Sequence, residues 1–279
     1  MPWQLTHDVE EFHAAAGGFL RSRPIEYTVP LTLLHTLRAR DLHSYGPEDP
    51  LFGWWSDVAG QVGGAILQTP PFPLFIAAAP AVPELVERLA DRPPAAVNAP
   101  ADVADAFAAA WCARTGTTAR VRTSSRLFRL GTLTPPEPAP PGAARTADRG
   151  DRDLLVHWLD AFHVEIGEGT GRGAGRVVDE RLAYGGFTLW EVDGEPVSMA
   201  GRTVTAAGVS RVGPVYTPTA HRARGYAAGA TSVVTRAAVD SGATDVVLYT
   251  DLANPTSNAL YQRLGYRPVE DRVVLEFTA

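Results

Sequence analysis

The sequence predicts a mixed α/β fold laid down twice in tandem, each copy a mixed, partly splayed sheet flanked by helices. Three observations predict it. A proline-dense run, Thr134 to Gly142 (TPPEPAPPG), interrupts the chain near its middle. Strand-type and helix-type patterns alternate in the same order on either side of that run. In the second half, a strand end rich in β-branched and aromatic residues passes through a basic, glycine-bearing turn straight into a helix. With 279 residues and 45% hydrophobic content, the chain carries enough apolar material for two cores of ordinary size.

The proline run sets the boundary, because proline removes a ladder donor and favours extended, semi-rigid chain. The expected division is a first domain over 1–134, a linker over 135–142 and a second domain over 143–279. In the first, helical spacing near 8–20 and 29–41 leads into apolar strands around 51–56, 62–68 and 73–79. Helices over 82–90 and 102–115 flank a short strand at Val97, and 118–133 is rich in strand formers. In the second, helices near 149–165 and 176–184 precede strands near 187–192, 196–204 and 209–217, with Asp193 and Gly194 supplying a hairpin turn. A helix over 226–240 is expected to carry Tyr226, Ala230, Val233, Val234 and Ala237 on one face. A strand over 245–250, a helix over 255–264 with Pro255 in its first turn, and a final strand pair complete the copy.

Residues Val215 to Ala227 (VYTPTAHRARGYA) carry the most chemistry. Val215, Tyr216 and Thr217 end a strand, and Gly225 permits a backbone conformation that a larger residue resists. Amides at a helix start have no partner within the helix, and the aligned peptide dipoles add partial positive charge there. The turn therefore suits a diphosphate, with Arg222 and Arg224 as cations at its rim. The pattern Arg222-x-x-Gly225-x-Ala227 resembles the pyrophosphate-binding signature of the GNAT N-acetyltransferase superfamily. Downstream, Thr250 to Tyr266 (TDLANPTSNALYQRLGY) is similar to the family's late strand, asparagine, helix and tyrosine, with Asn254 and Tyr261 seven positions apart. Two motifs in the right order, separated by one helix and one strand, identify the chain as a member, and the repeated plan as a tandem one.

The resemblance implies direct transfer of an acetyl group from acetyl-CoA to a primary amine of a small molecule or peptide, through a tetrahedral intermediate and without a metal. It implies that pantetheine lies in a gap like an extra strand. Gly213 and Pro214 would open that gap, since proline cannot donate to a ladder and glycine often marks a bulge; an ordinary kinked edge strand is the alternative. Backbone groups at the strand end Val215, Tyr216 and Thr217 would pair with the pantetheine amides, and the Val215 N–H would polarise the thioester carbonyl. Arg222, Ala223, Arg224, Gly225, Tyr226 and Ala227 would hold the pyrophosphate, chiefly through backbone N–H groups. Asn254 would bond the pantetheine arm or the strand end, with a helix N-cap as a compatible alternative. Ser257 stands where alanine is common.

Tyr261 is the expected general acid for the departing thiolate, against the alternative of a packed helix tyrosine. A phenol at about 10 and a thiol at about 8.5 match imperfectly unless the site tunes them. Glu165 is the expected base. Leu154, Trp158, Phe162 and Glu165 share one helical stripe, which would put a carboxylate on an apolar face, where burial is costly unless the acid is used or paired; an ion pair with an arginine is the alternative. In the first half, the anion-turn position reads Pro80, Ala81, Val82, Pro83, and the later segment runs from Asn98 through Pro100 to Phe107. Basic residues, glycine and hydroxyl are all missing there, so the N-terminal copy is expected to be degenerate, supporting the fold or shaping the acceptor pocket.

Composition removes other classes. All 25 basic residues are arginine. Without lysine, a Walker phosphate loop, a kinase strand lysine and Schiff-base chemistry drop out. A net charge of −6 with 20% charged residues does not suggest a general nucleic-acid binder. The single cysteine, Cys112, sits in an alanine-rich helical pattern and reads as a small buried apolar residue. The N-terminus lacks a basic region followed by an apolar run, and no segment reaches membrane-spanning length, so a cytoplasmic protein is expected. The run Gly167 to Gly175 (GEGTGRGAG) follows a helix with no strand before it. It fails the dinucleotide fingerprint and reads as a mobile loop, in a region that relatives use to close over the acceptor. His163 and His221 are isolated and expected at the surface. A non-catalytic acyl-CoA-binding sensor or regulatory module is the rival function, and the oligomeric state is open, a homodimer included.

Overall fold

The computed structural model describes residues 3–169 and 173–278, so residues 170–172 of the glycine-rich run lie outside the described residues, as do Met1, Pro2 and Ala279. The chain forms two compact units. The first comprises Met1–Leu127, Asp251–Ala253 and Val269–Ala279, and the second Phe128–Thr250 and Asn254–Pro268.

In chain order the first half supplies β1 (Gln4–Thr6), α1 (Val9–Ser22), α2 (Thr28–Ala39), β2 (Leu51–Ser56), β3 (Val62–Gln68), β4 (Leu74–Ala78), α3 (Val82–Arg88), β5 (Ala96–Pro100), α4 (Ala101–Thr115) and β6 (Thr118–Leu130). The second half repeats the plan with β7 (Ala143–Thr146), α5 (Arg152–Glu165), α6 (Ala174–Leu182), β8 (Phe187–Val192), β9 (Glu195–Arg202), β10 (Val209–Tyr216), α7 (Tyr226–Asp240), β11 (Asp245–Asp251), α8 (Pro255–Arg263) and β12 (Tyr266–Thr278). Within the first unit the strand order is β1-β2-β3-β4-β5, and within the second β7-β8-β9-β10-β11. Each run is antiparallel until its last pair, β4 with β5 and β10 with β11, which is parallel. The tandem mixed α/β plan expected from the sequence is therefore present.

The second unit owes its layers to alternation along β8 and β9. Phe187, Leu189 and Met199 face α5 and α6 with Leu155, Trp158, Leu159 and Val178. Trp190 and Ala200 face α7 with Tyr226, Ala230, Val234 and Ala238, and Val197 joins them because the β8–β9 register shifts beside it, which breaks the alternation there. Gly229 lets α7 lie against β8, since a Cβ there would come within 2.6 Å of the Trp190 ring. The expected hairpin turn is formed, with Asp193 at φ 52° and Gly194 at φ 82°.

Several expectations are corrected. The units do not divide at the proline run. Residues 135–142 fall inside the second unit, where the Trp190 indole donates to the Pro141 carbonyl at 2.8 Å and the Thr134 amide to the Leu264 carbonyl at 3.0 Å. The final strand pair is one continuous strand, β12. Its Glu270 and Asp271 are paired with Arg272 at 3.1 Å and Arg126 at 2.6 Å. The short strands β1 and β7 were not foreseen. Val233 is 39% exposed, because the buried stripe of α7 continues through the small polar residues Thr231 and Thr235 instead. Cys112 is only half-buried, the inner face of α4 being taken by Ala104, Phe107 and Trp111. His163 and His221 are half-buried rather than at the open surface.

Candidate functional site

The second unit's sheet opens at one place. Parallel pairing of β10 with β11 runs from Val209 opposite Asp245 to Val212 opposite Leu248 and stops, although β10 continues to Tyr216 and β11 to Asp251. On its other side β10 keeps its antiparallel partner, with Val215 opposite Ala200 and Tyr216 opposite Met199 after a register shift. The opening follows from local chemistry. Gly213 has φ +142°, and Pro214 has no N–H to offer a ladder. Two groups then fix the free stretch. Arg181, from α6, donates to the Gly213 carbonyl, and the Ser198 hydroxyl donates to the Tyr216 carbonyl at 3.1 Å while lying 2.8 Å from the Thr217 hydroxyl. Neither Arg181 nor Ser198 was anticipated. Arg181 is one arginine among many with no spacing that marks it, and Ser198 only fits the inward-facing positions of its strand.

Beyond the strand end lies the turn. The His221 amide bonds the Pro218 carbonyl at 2.9 Å and the Arg222 amide the Thr219 carbonyl at 3.3 Å, while the Gly229 amide bonds the Gly225 carbonyl at 3.1 Å. Between them, the amides of residues 223–228 have no protein partner among the described residues. Ala223 at φ 60° and Gly225 at φ 83° are both left-handed, at the start of a 15-residue helix whose dipole is positive at that end. Gly225 has room around it, the nearest atom to a notional Cβ being Pro140 Cβ at 3.5 Å. Arg224 is exposed, Ala227 is half-buried, and the Tyr226 side chain points into the core, leaving its backbone to face the turn.

Arg222 and Glu165 are bonded to each other. The Arg222 Nη2 donates to the Glu165 carboxylate, its Nε donates to the Thr217 carbonyl at 2.8 Å, and its guanidinium lies 5.9 Å from the Tyr216 ring centroid. This corrects the expected environment of Glu165. Trp158 and Phe162 of its stripe do pack inward, but the carboxylate at the last residue of α5 has left the apolar face and is 43% exposed. Tyr216 itself packs beside Trp158, 6.1 Å between ring centroids.

At the start of α8, the Asn254 side chain caps the helix by accepting from the Ser257 amide at 3.0 Å. Tyr261, in the same helix, is buried and meets Tyr266 edge-on at 6.2 Å. Burial alone pushes its phenol up to about 12. That is the opposite of the tuning the sequence argument required, since the phenol moves further from a thiol's value.

The first unit shows the corresponding place closed. Parallel pairing of β4 with β5 stops after Phe75 opposite Asn98. There the Arg272 side chain, 1% exposed, donates to the Ile76 carbonyl at 2.8 Å, the Asn98 carbonyl at 3.0 Å and the Asn98 Oδ1 at 2.9 Å, and lies 4.0 Å from the Phe75 ring centroid. Ala81 takes the left-handed role of Gly225 with φ 54°, but the Trp3 indole donates to the Pro80 carbonyl at 3.2 Å and the Trp3 amide to Glu84 at 2.6 Å. Protein groups fill what the second unit leaves open.

Among the described residues no cluster of three or more His, Cys, Asp or Glu side chains could hold a metal ion, and no helix is long and apolar enough to cross a membrane.

Residues 191–275 match the family model described as FR47-like protein. Among solved structures, a GCN5-related N-acetyltransferase from Sphaerobacter thermophilus is similar at TM-score 0.63 and 18% identity, over 98% of this chain and 94% of that one. A tandem GNAT protein from the clavulanic acid biosynthesis pathway is similar at TM-score 0.57 and 12% identity, over 99% and 98%. A GCN5-related N-acetyltransferase from Kribbella flavida is similar at TM-score 0.54 and 20% identity, over 77% and 87%. No curated protein matches the chain.

Proposed function

We propose that this protein, whose fold is that of the GNAT superfamily in its tandem form, is an acetyl-CoA-dependent N-acetyltransferase. It transfers an acetyl group to a primary amine of a small molecule or peptide in its second unit. The observation that carries the reading is the run of open amides at residues 223–228, set next to a strand whose pairing with β11 ends at Val212. Six unpartnered N–H groups at the positive end of a helix suit a diphosphate. The side of β10 that β11 leaves beyond Val212, from Val215 to Thr217, suits the amides of an extended pantetheine arm once Arg222 releases the Thr217 carbonyl.

In this reading the Val215 N–H is the donor to the thioester carbonyl, and Arg224 adds charge beside the diphosphate. Asn254 holds the end of α8 through its cap, which fixes the direction from which Tyr261 approaches. Tyr261 remains protonated throughout the neutral range. Full transfer of its proton to a free thiolate would be uphill by about 5 kcal/mol, so the phenol acts as a hydrogen-bond donor whose proton moves only as the carbon–sulfur bond breaks. Arg272 keeps the first unit from holding a second equivalent, which accords with a degenerate copy.

A second reading, a non-catalytic acyl-CoA-binding sensor, is favoured by the same raised phenol and by the engagement of Glu165 with Arg222. Both leave the acid–base machinery weak. One experiment separates the two: free-thiol release from acetyl-CoA against a panel of primary amines, with coenzyme A uptake followed by calorimetry. Uptake with amine-dependent thiol release supports the enzyme, uptake without release supports the sensor, and absence of uptake defeats both.

A further inference from the structure

We propose that Arg222 and Glu165 form an exchangeable latch, in which the diphosphate end of coenzyme A draws Arg222 away and so frees Glu165 to hold the ammonium group of the acceptor. The inference rests on the acyl-CoA reading above and adds a binding order and a residue for the acceptor.

Arg222 makes two bonds in the free protein, and each blocks a position that a ligand needs. Its Nε lies 2.8 Å from the Thr217 carbonyl, on the strand edge where an amide of the pantetheine arm would donate. Its Nη2 takes the Glu165 carboxylate. Neither bond resists exchange strongly. The Arg222 and Glu165 side chains are 44% and 43% exposed, so solvent screens their attraction. A diphosphate offers a guanidinium paired anionic oxygens, which bind it more firmly than one carboxylate oxygen, and the open amides of residues 223–228 bring such a group alongside Arg222.

What Arg222 leaves behind is a cation site. Glu165 is the last residue of α5, where the helix dipole is negative and the final carbonyls look outward. A carboxylate at that end repels its own helix and is stabilised by a cation. With the guanidinium gone, a primary ammonium has the charge and the three donors to replace it. Donor binding thus prepares acceptor binding, and by linkage an amine at Glu165 strengthens coenzyme A binding by the same factor.

The test titrates coenzyme A into the full chain and into Glu165→Gln, Arg222→Gln and the double variant. Glu165→Gln is expected to bind coenzyme A more tightly than the wild type, by up to about fivefold, because Arg222 is no longer held. Arg222→Gln is expected to bind less tightly, and adding Glu165→Gln to it to change nothing. Ethylammonium chloride is expected to raise wild-type affinity above its value in tetramethylammonium chloride of equal ionic strength, and to have no such effect in Glu165→Gln. Equal affinity of the wild type and Glu165→Gln, or equal effects of the two salts on the wild type, would overturn the latch while leaving the acyl-CoA site standing. Absence of coenzyme A uptake by the wild type would overturn the site and the latch together.

Discussion

Replacing Tyr261 with Phe removes one oxygen and nothing else, and the structure fixes what should follow. The hydroxyl has no hydrogen-bond partner among the described residues, and burial is the sole cause of its shift from 10.0 to about 12. At pH 7 the phenol is neutral in both folded and unfolded chains, so Tyr261→Phe should unfold in urea within about 0.5 kcal/mol of the wild type. The difference appears in alkali. A group whose folded value is raised above its unfolded one contributes stability that is complete below pH 10 and is lost as the pH climbs to about 12, here by about 3 kcal/mol. The variant should therefore lose less stability than the wild type between those limits. It should still lose some, because burial also raises Tyr266. Turnover should fall about a hundredfold or more if the phenol supplies the leaving-group proton, with coenzyme A affinity unchanged. Urea midpoints at pH 8 and pH 11.5, with thiol release at saturating acetyl-CoA, measure all three. Equal alkaline losses in the two proteins would refute the burial argument, and undiminished turnover would refute the acid.

Arg272→Met should destabilise the first unit by about 3–5 kcal/mol, because it strands the Ile76 and Asn98 carbonyls and Glu270 without their cation; a urea-derived loss below 1 kcal/mol would show that the side chain is not the plug described. Thr231→Val should stabilise the second unit by about 1 kcal/mol, since the Thr231 hydroxyl is fully buried without a partner among the described residues; an unchanged or lower melting midpoint would count against that. Gly229→Val should cost about 1–3 kcal/mol by forcing α7 off the Trp190 ring, which would sit 2.6 Å from the new Cβ; near-ultraviolet circular dichroism of the tryptophan bands, identical to the wild type, would contradict it.

Much of the fold was legible because its causes are local. The span of α7 is the one expected, since Gly225 precedes a long stretch of small and apolar residues. The turn between Asp193 and Gly194 and the interruption at Gly213 and Pro214 were equally readable, each being a property of two adjacent residues. The candidate site was legible to the same depth. The basic, glycine-bearing turn and the later asparagine and tyrosine are motifs of short range. Its side-chain environment was not. Glu165 belongs to an apolar stripe by spacing, yet it ends its helix and turns outward, and a helical wheel does not register where a helix stops. The proline run reads as a linker by composition, but its Pro141 carbonyl and the Thr134 amide are bonded within the second unit.

The sequence by itself determined the order of elements, their repetition, and the basic, glycine-bearing turn that starts α7, because these follow from the chirality, size and hydrogen-bonding capacity of adjacent residues. Tertiary structure alone decided which arginines matter. Arg181, Arg222 and Arg272 are chemically identical, and only chain segments brought together from far apart make the first a brace on Gly213, the second the partner of Glu165, and the third a stopper between two strands.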